Sequence, residues 1–131
     1  MRVLLVDHDA STRHLYRQIL HDKPGIEVVG ETASGLEAIH LTRQLQPDVV
    51  LIDVGMPNMD GVQAAAMIHI LDPTICVIGL ADRGVHEQAE VMRDVGAMDY
   101  VMKDASAEEL LAVMRGGYAL LREQQRSDAA A

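Results

Sequence analysis

Aromatic residues are nearly absent from this sequence. Its 131 residues include three tyrosines but neither phenylalanine nor tryptophan, so aromatic side chains account for only 2% of the chain. The hydrophobic content of 49% must therefore come mainly from aliphatic side chains and methionine. Proteins that bind single-stranded nucleic acid stack its bases on aromatic side chains. The composition argues against that kind of binding and predicts an aliphatic core.

Positive charge is also scarce. The chain has 11 lysine and arginine residues against 20 aspartate and glutamate residues, which gives a net charge of −9. A protein this acidic is poorly suited to bind a phosphate backbone. We therefore expect this domain itself to bind no nucleic acid.

Long apolar runs and cysteine pairs are missing as well. No run approaches the roughly 18 residues that a membrane helix needs, so we expect no membrane partner. The N-terminus begins a strand at once, and we expect no signal peptide there. The single cysteine, Cys76, cannot form an internal disulfide. These absences are typical of a cytoplasmic protein, which is the location that we expect.

The sequence does contain a regular alternation of short apolar runs and segments with helical periodicity. The predicted strands are 3–6, 25–30, 49–53, 75–78 and 99–102, and the predicted helices are 11–21, 34–45, 62–71, 85–95 and 106–121. Such alternation predicts an α/β fold, with a five-stranded parallel sheet and helices on both of its faces. The length fits one domain, which we place at residues 1–122. Residues 123–131 lack a core pattern and are predicted to be the start of a linker or a disordered tail.

Several charged residues directly follow predicted strands. Asp7 comes after the first strand, Asp53 ends the third, and Lys103 comes after the fifth. The carboxyl ends of parallel strands meet at one edge of a sheet, where ligands bind in open α/β folds. Asp53 follows four apolar residues and precedes turn residues, so its carboxylate is presented at that edge. We therefore expect a functional site there.

These residues resemble the receiver domain of two-component response regulators. The matching segments are Val3–Asp7, Asp53–Gly61 with its Met-Pro-Asn-Met-Asp-Gly ending, Val101–Lys103, and the Gly96-Ala97 pair before the fifth strand. The resemblance covers residues 2 to about 122. It implies the flavodoxin-like strand order 2-1-3-4-5.

The resemblance also implies a signalling mechanism. In that family the acid corresponding to Asp53 accepts a phosphoryl group from a sensor histidine kinase, and the lysine corresponding to Lys103 contacts the phosphate. Magnesium would be held by Asp7, Asp53 and the backbone carbonyl of Gly55, all of which offer the oxygen ligands that this ion prefers. Such a domain is a switch rather than a turnover enzyme.

Two positions depart from the family pattern. His8 stands where a second acid is usual, and imidazole is a poor magnesium ligand, so we expect weak Mg²⁺ binding with His8 or Asp9 as a further possible ligand. Asp9 is equally well placed to cap the first helix. Ala81 stands where the family has a serine or threonine whose hydroxyl bonds to the phosphate. The aromatic switch residue Tyr100 is retained without that hydroxyl.

Three functions therefore remain open. The first is a phosphoaccepting receiver with atypical metal and switch positions. The second is a degenerate receiver that works without phosphorylation, through binding or through a homodimer formed by the fourth helix, fifth strand and fifth helix. The third is a phosphohydrolase of the haloacid dehalogenase type, because Asp7 and Asp9 resemble its Asp-x-Asp motif.

The segment after the fifth strand is similar to one subfamily of receivers. Lys103-Asp104-Ala105-Ser106, followed by Glu-Glu-Leu-Leu, resembles receivers that carry a helix-turn-helix output domain. The resemblance implies that DNA could be bound through an output domain beyond Ala131. It implies a role in transcription regulation for such a protein.

Overall fold

The computed structural model describes residues 1–56, 61–82 and 86–130, with the backbone alone for 86–89. The strands are β1 (Arg2–Val6), β2 (Glu27–Thr32), β3 (Val49–Asp53), β4 (Cys76–Ala81) and β5 (Asp99–Met102). The helices are α1 (Ala10–His21), α2 (Gly35–Leu45), α3 (Gly61–Leu71), α4 (His86–Asp94) and α5 (Ala107–Ala130). Strands and helices alternate without exception in this part of the chain.

All four strand pairings are parallel, and the sheet order is β2-β1-β3-β4-β5. The predicted fold class and strand order are therefore confirmed. The order places β1 and β3 side by side at the centre, with Val6 paired to Ile52. The residues that follow this pair, Asp7 and Asp53, are consequently neighbours at the carboxyl edge.

The sheet is covered on both faces by separate apolar clusters. On one face, strand residues such as Leu4 and Val50 pack with α2, α3 and α4. On the other, residues such as Leu5 and Leu51 pack with Tyr16 of α1 and with α5. Side chains alternate between the faces along a strand, so a strand covered on both sides must be apolar throughout. This explains the uninterrupted apolar runs of β1 and β3.

Side-chain caps fix where three helices begin. The Asp9 carboxylate accepts a hydrogen bond from the Ser11 N–H at the start of α1. The Ser34 hydroxyl accepts from Glu37 N–H at α2, and that of Ser106 accepts from the residue three further on at α5. These bonds satisfy N–H groups that have no partner in the first helical turn.

Two strand boundaries differ from the predictions. Strand β2 lies two residues later than expected, and β4 continues three residues beyond its predicted end at 78. Gly79 lies inside this extension, and the strand is paired there on both sides, with Gly79 opposite Ile52 and Tyr100. A side chain at Gly79 would meet Met92 at 3.1 Å, so the glycine lets α4 pack closely on the sheet.

Helix α5 is longer than predicted. The predicted end near residue 121 is wrong, because the helix continues to Ala130 over 24 residues, about 36 Å. The segment 122–130 is rich in strong helix formers, and the amide of Gln125 donates a hydrogen bond of 3.2 Å to the Thr74 carbonyl. The domain boundary at 122 and a linker role for 123–131 remain predictions.

Two further expectations fall partly or wholly outside the described residues. The predicted turn at 57–60 lies outside them, as does residue 85 at the predicted start of the fourth helix. Among the described helices, none has the length and apolar character to cross a membrane.

Candidate functional site

The carboxyl edge of the sheet brings two buried carboxylates together. Asp7 follows β1 and Asp53 ends β3, with 1% and 2% of their surfaces exposed. The Asp9 N–H donates to Asp7 Oδ1 over 2.9 Å, and the Gly55 N–H donates to Asp53 Oδ1 over 3.1 Å. Burying two acids side by side is unfavourable unless other groups balance their charge.

Lys103, directly after β5, supplies part of that balance. Its Nζ lies 2.8 Å from Asp7 Oδ2 and 3.3 Å from Asp53 Oδ1, and its side chain is 13% exposed. Burial alone would lower the pKa of this ammonium, but its bonds to Asp7 and Asp53 outweigh burial and raise the pKa above the ordinary value. Lys103 therefore stays charged at neutral pH. Asp82 is more distant, 3.9 Å from Nζ, and its side chain is 67% exposed.

His8 faces the same two acids from the other side. Its Nδ1 lies 2.7 Å from Asp53 Oδ2 and 3.7 Å from Asp7 Oδ1. An ionised carboxylate can only accept, so the short contact has Nδ1–H donating to Asp53. The imidazole is 47% exposed, which leaves it room to move.

Asp9 does not join this cluster. Its carboxylate accepts hydrogen bonds from Ser11 N–H and Thr12 Oγ1, both over 3.0 Å. These bonds, that from Thr12 first, lower the pKa of Asp9 below its ordinary value. The Asp9 side chain serves as the helix cap, and a role as a metal ligand, which would require it to leave this cap, remains a prediction. The Asp-x-Asp hypothesis also remains a prediction, and it too would require Asp9 to leave the cap.

Glycine is required where the loop after β3 returns. A side-chain carbon at Gly61 would lie 2.0 Å from the Asp53 carbonyl oxygen, far inside van der Waals contact. The Gly61 N–H also donates to the Val54 carbonyl over 3.1 Å. The start of α3 is thereby held directly against the end of β3. For Gly55, the role of the carbonyl as a metal ligand remains a prediction.

The two switch positions lie on neighbouring strands. Ala81 is fully buried at the end of β4, and its carbonyl accepts from the Lys103 N–H over 2.8 Å. The Tyr100 hydroxyl donates to Glu90 Oε1 over 2.7 Å, which raises the tyrosine pKa. The guanidinium of Arg93 lies 5.0 Å from the Tyr100 ring centre. Tyr100 is thus bound to α4, and the Ala81 methyl group offers no hydrogen bond toward the site.

Sequence reasoning missed one residue that supports the site. Arg13 on α1 donates to the backbone carbonyl of Asp7 over 2.7 Å and pairs with Glu31 on β2 over 3.2 Å. It therefore fixes the chain at Asp7 between two strands and a helix. No local pattern marks Arg13, because its role depends on the pairing of β1 with β2.

A cation could reach three ligand atoms at this edge. Asp7, His8 and Asp53 each place one within 4.8 Å of the others. The carboxylates suit Mg²⁺, which prefers oxygen. The His8 imidazole, however, faces both carboxylates and already bonds Asp53 Oδ2, and nitrogen is a poor ligand for this ion. The described residues therefore fit Mg²⁺ only in part.

A cleft elsewhere on the surface is unrelated to these residues. It has a volume of about 630 Å³ and lies at the far end of α1, against Leu20, His21 and Ile26. None of the residues at the carboxyl edge lines it.

Cys76 takes no part in the chemistry of the site. Burial raises the pKa of its thiol to about 12, which keeps the thiol unreactive.

Comparison with known families and proteins gives one consistent answer. Residues 3–115 match the response regulator receiver domain. The chain is 39% identical over 105 residues to protein-glutamate methylesterase/protein-glutamine glutaminase 2 of Carboxydothermus hydrogenoformans, covering 79% of this chain and 29% of that protein. It is 40% identical over 109 residues to the corresponding enzyme of Archaeoglobus fulgidus, covering 82% and 31%. The chain thus spans less than a third of the length of these relatives.

Solved structures are similar over nearly the whole chain. A LuxR-family two-component response regulator from Aurantimonas sp. superimposes with a TM-score of 0.80 at 28% identity, covering 90% of this chain and 84% of that one. The response regulator domain of Thermotoga maritima CheB gives a TM-score of 0.71 at 29% identity, covering 96% and 94%. The similarity therefore extends both to a LuxR-family response regulator and to the response regulator domain of CheB.

Proposed function

The chain belongs to the response regulator receiver domain family, and from this premise we propose that Asp53 accepts a phosphoryl group from a sensor histidine kinase. The observation that carries the proposal is the pairing of a buried, strand-end carboxylate with Lys103, whose Nζ lies 3.3 Å from Asp53 Oδ1. Phosphoryl transfer requires mainly positioning and neutralisation of charge. Lys103 supplies a fixed positive charge for both.

The transfer exchanges one bond to phosphorus for another. An Asp53 carboxylate oxygen attacks the phosphorus of a phosphohistidine, an acyl phosphate bond forms, and the bond to the kinase imidazole breaks. Oδ2 is held by His8 over 2.7 Å, so attack through this oxygen requires the half-exposed imidazole to move aside. Lys103 would then contact the transferred phosphoryl group as a point charge.

We propose a muted structural response to phosphorylation. A phosphoryl group shifts a conformational equilibrium only if it binds one state better than the other. The Ala81 methyl group gives it no donor after β4, and Tyr100 is bound to Glu90. The face formed by α4, β5 and α5 should therefore dimerise, if it does, largely independently of phosphorylation.

Phosphorylation by a small phosphodonor tests the proposal. The protein is incubated with acetyl phosphate and either Mg²⁺ or Mn²⁺, and its intact mass is measured. We expect one acid-labile phosphoryl group on the wild type and on Asp82→Asn, an exposed acid that serves as the control. Asp53→Asn should gain none. A phosphoryl group retained by Asp53→Asn would overturn the assignment.

A receiver that works without phosphorylation is the second candidate. The observation in its favour is the 2.7 Å contact of His8 with Asp53 Oδ2, which occupies an oxygen of the phosphoacceptor. On this alternative, the domain would act as a binding or dimerisation module through the α4, β5 and α5 face. Failure of the wild type to gain a phosphoryl group with either cation, while it still dimerises, would favour this function.

The activity of the whole protein is a separate proposal. The curated relatives are named as methylesterases and glutaminases, whereas one structural neighbour is a LuxR-family response regulator. We propose that the described domain is a switch rather than a turnover enzyme and that any DNA binding occurs through an output domain beyond Ala131. Expression of the natural gene product and measurement of its mass would test for such a domain.

A further inference from the structure

The cation position at this site has a mixed set of ligands. We propose that Asp7, His8 and Asp53 select a nitrogen-accepting divalent cation of the Fe²⁺ to Zn²⁺ series over Mg²⁺. This proposal rests on the proposed function, because the cation would lie against the same phosphoacceptor. Imidazole suits Zn²⁺, Cu²⁺, Fe²⁺ and Ni²⁺, whereas sites of carboxylate, carbonyl and water ligands suit Mg²⁺.

The spacing of the three ligand atoms fits such an ion. His8 Nδ1 lies 2.7 Å from Asp53 Oδ2 and 3.7 Å from Asp7 Oδ1. Metal–ligand bonds of about 2.1 Å separate neighbouring ligands by about 3.0 Å in octahedral and about 3.4 Å in tetrahedral geometry. The two distances from His8 lie on either side of these values, and all three ligand atoms lie within 4.8 Å of one another. Shifts of less than about 1 Å in the side chains would therefore admit the ion.

Lys103 does not compete for these atoms. It contacts Asp7 Oδ2 and Asp53 Oδ1, whereas His8 faces the other oxygen of each carboxylate. The carboxylate pair therefore has two cation positions on opposite sides. One is filled by the lysine ammonium, and the other is bordered by the imidazole.

Charge balance also calls for a second cation. Two carboxylates with at most 2% exposure face one ammonium, which leaves one negative charge without a partner among these three groups. Asp7 Oδ2 takes no part in this second position, because its partner is the Lys103 ammonium at 2.8 Å. Burial of excess charge is unfavourable, and a divalent ion on the His8 side would relieve it.

A neutral imidazole carries one hydrogen, which can lie on either ring nitrogen. Nδ1–H donates to Asp53 in the present arrangement. Ligation through Nδ1 requires that hydrogen to lie on Nε2 instead, and the imidazole is 47% exposed, so Nε2–H can be solvated. The partial exposure also leaves space for water on the ion.

Metal titration without phosphodonor tests the proposal. Zn²⁺ binds tightly to many sites of nitrogen and oxygen ligands, so the informative quantity is the change that removing the imidazole makes in the ratio of the Zn²⁺ and Mg²⁺ dissociation constants. Calorimetry compares the wild type with His8→Asp and His8→Asn. Because the chain has six histidines, His40→Asn on the exposed face of α2 is the matched control for histidine binding elsewhere.

We expect His8→Asp to weaken Zn²⁺ and strengthen Mg²⁺ binding, each by about tenfold or more, and His40→Asn to change neither. His8→Asn should lose Zn²⁺ affinity without gaining Mg²⁺ affinity. Nitrogen-15 resonances of the His8 ring should show zinc on Nδ1. Unchanged ratios in both His8 variants, or ring resonances of a protonated imidazole that zinc leaves unchanged, would overturn the proposal. Because no phosphodonor is present, this outcome is independent of whether Asp53 is phosphorylated.

Discussion

Replacing Lys103 by methionine should destabilise the domain by more than the loss of one ordinary surface lysine would, because two buried carboxylates depend on its charge. The ammonium lies 2.8 Å from Asp7 and 3.3 Å from Asp53. At an effective dielectric constant of about 20, these contacts correspond to roughly 6 and 5 kcal/mol of attraction before desolvation. Desolvation of the charges offsets most of this sum.

The net loss comes from what the substitution leaves behind. Lys103→Met keeps the apolar stem but leaves two buried carboxylates without a cation, a change that typically costs about 3–5 kcal/mol. The Lys103 side chain is 13% exposed, so we expect the lower end, about 3 kcal/mol. For a domain of this size the melting temperature should fall by roughly 10 °C.

Chemical denaturation with chelator present measures this loss. The control is Lys23→Met, at the only other lysine in the sequence, which should change the free energy of unfolding by less than about 0.5 kcal/mol. Adding Asp7→Asn to Lys103→Met should restore part of the loss, because one unpaired charge disappears. A loss below about 0.5 kcal/mol, or further destabilisation by Asp7→Asn, would refute the reasoning.

The pH dependence of the loss has a definite sign. The folded-state pKa of Lys103 is raised above the ordinary 10.5. A lysine whose pKa is raised in the folded protein stabilises the fold fully at pH values below its pKa in the unfolded chain. This stabilisation is lost as the pH rises through the pKa that the lysine has in the folded protein. The difference between wild type and Lys103→Met should therefore stay constant from about pH 7 to about pH 9 and shrink only above about pH 10.5.

Three further predictions concern the switch and α5. Ala81→Thr should make dimerisation respond to beryllofluoride, a phosphoryl mimic, and an equal response of the wild type in sedimentation would show that another donor replaces the hydroxyl. Glu90→Gln should lower the Tyr100 pKa toward its ordinary value, measured by ultraviolet titration with Tyr100→Phe as reference; an unchanged value would contradict the hydrogen bond. Gly116→Ala should stabilise α5 by up to about 1 kcal/mol in thermal melts, because its side chain meets open space. Gly117→Ala should gain less, since its side chain would meet its neighbours at 3.1 Å and 3.3 Å; equal gains would contradict this packing.

Much of the fold could be predicted because its signals are local. Apolar runs ending in Asp7 and Asp53 marked the two central strands, and alternation with helical segments implied the parallel sheet. The misplaced boundaries had causes outside the local sequence. Strand β4 continues through Gly79 because two neighbouring strands pair with it, and α5 continues to Ala130 because its helix formers need no core pattern.

The sequence allowed us to predict which residues form the site but not how their side chains contact one another. The strand order places Lys103 beside the two acids, as expected. Sequence could not decide whether His8 or Asp9 faces the acids, because both follow the strand within three residues. The structure assigns Asp9 to the helix cap and His8 to Asp53. The role of Arg13 could not be predicted from the sequence, because its contacts require β2 to lie beside β1.

The most direct test of the account locates the phosphoryl group itself. The protein is phosphorylated with acetyl phosphate, the acyl phosphate is reduced with borohydride, and the modified residue is identified by peptide sequencing in a mass spectrometer. Reduction converts a phosphorylated aspartate to homoserine, whereas a phosphorylated histidine is not converted. We predict homoserine at position 53 and at no other acid. Homoserine at position 7 or 82, or a phosphoryl group on His8, would contradict the assignment of Asp53 as the phosphoacceptor.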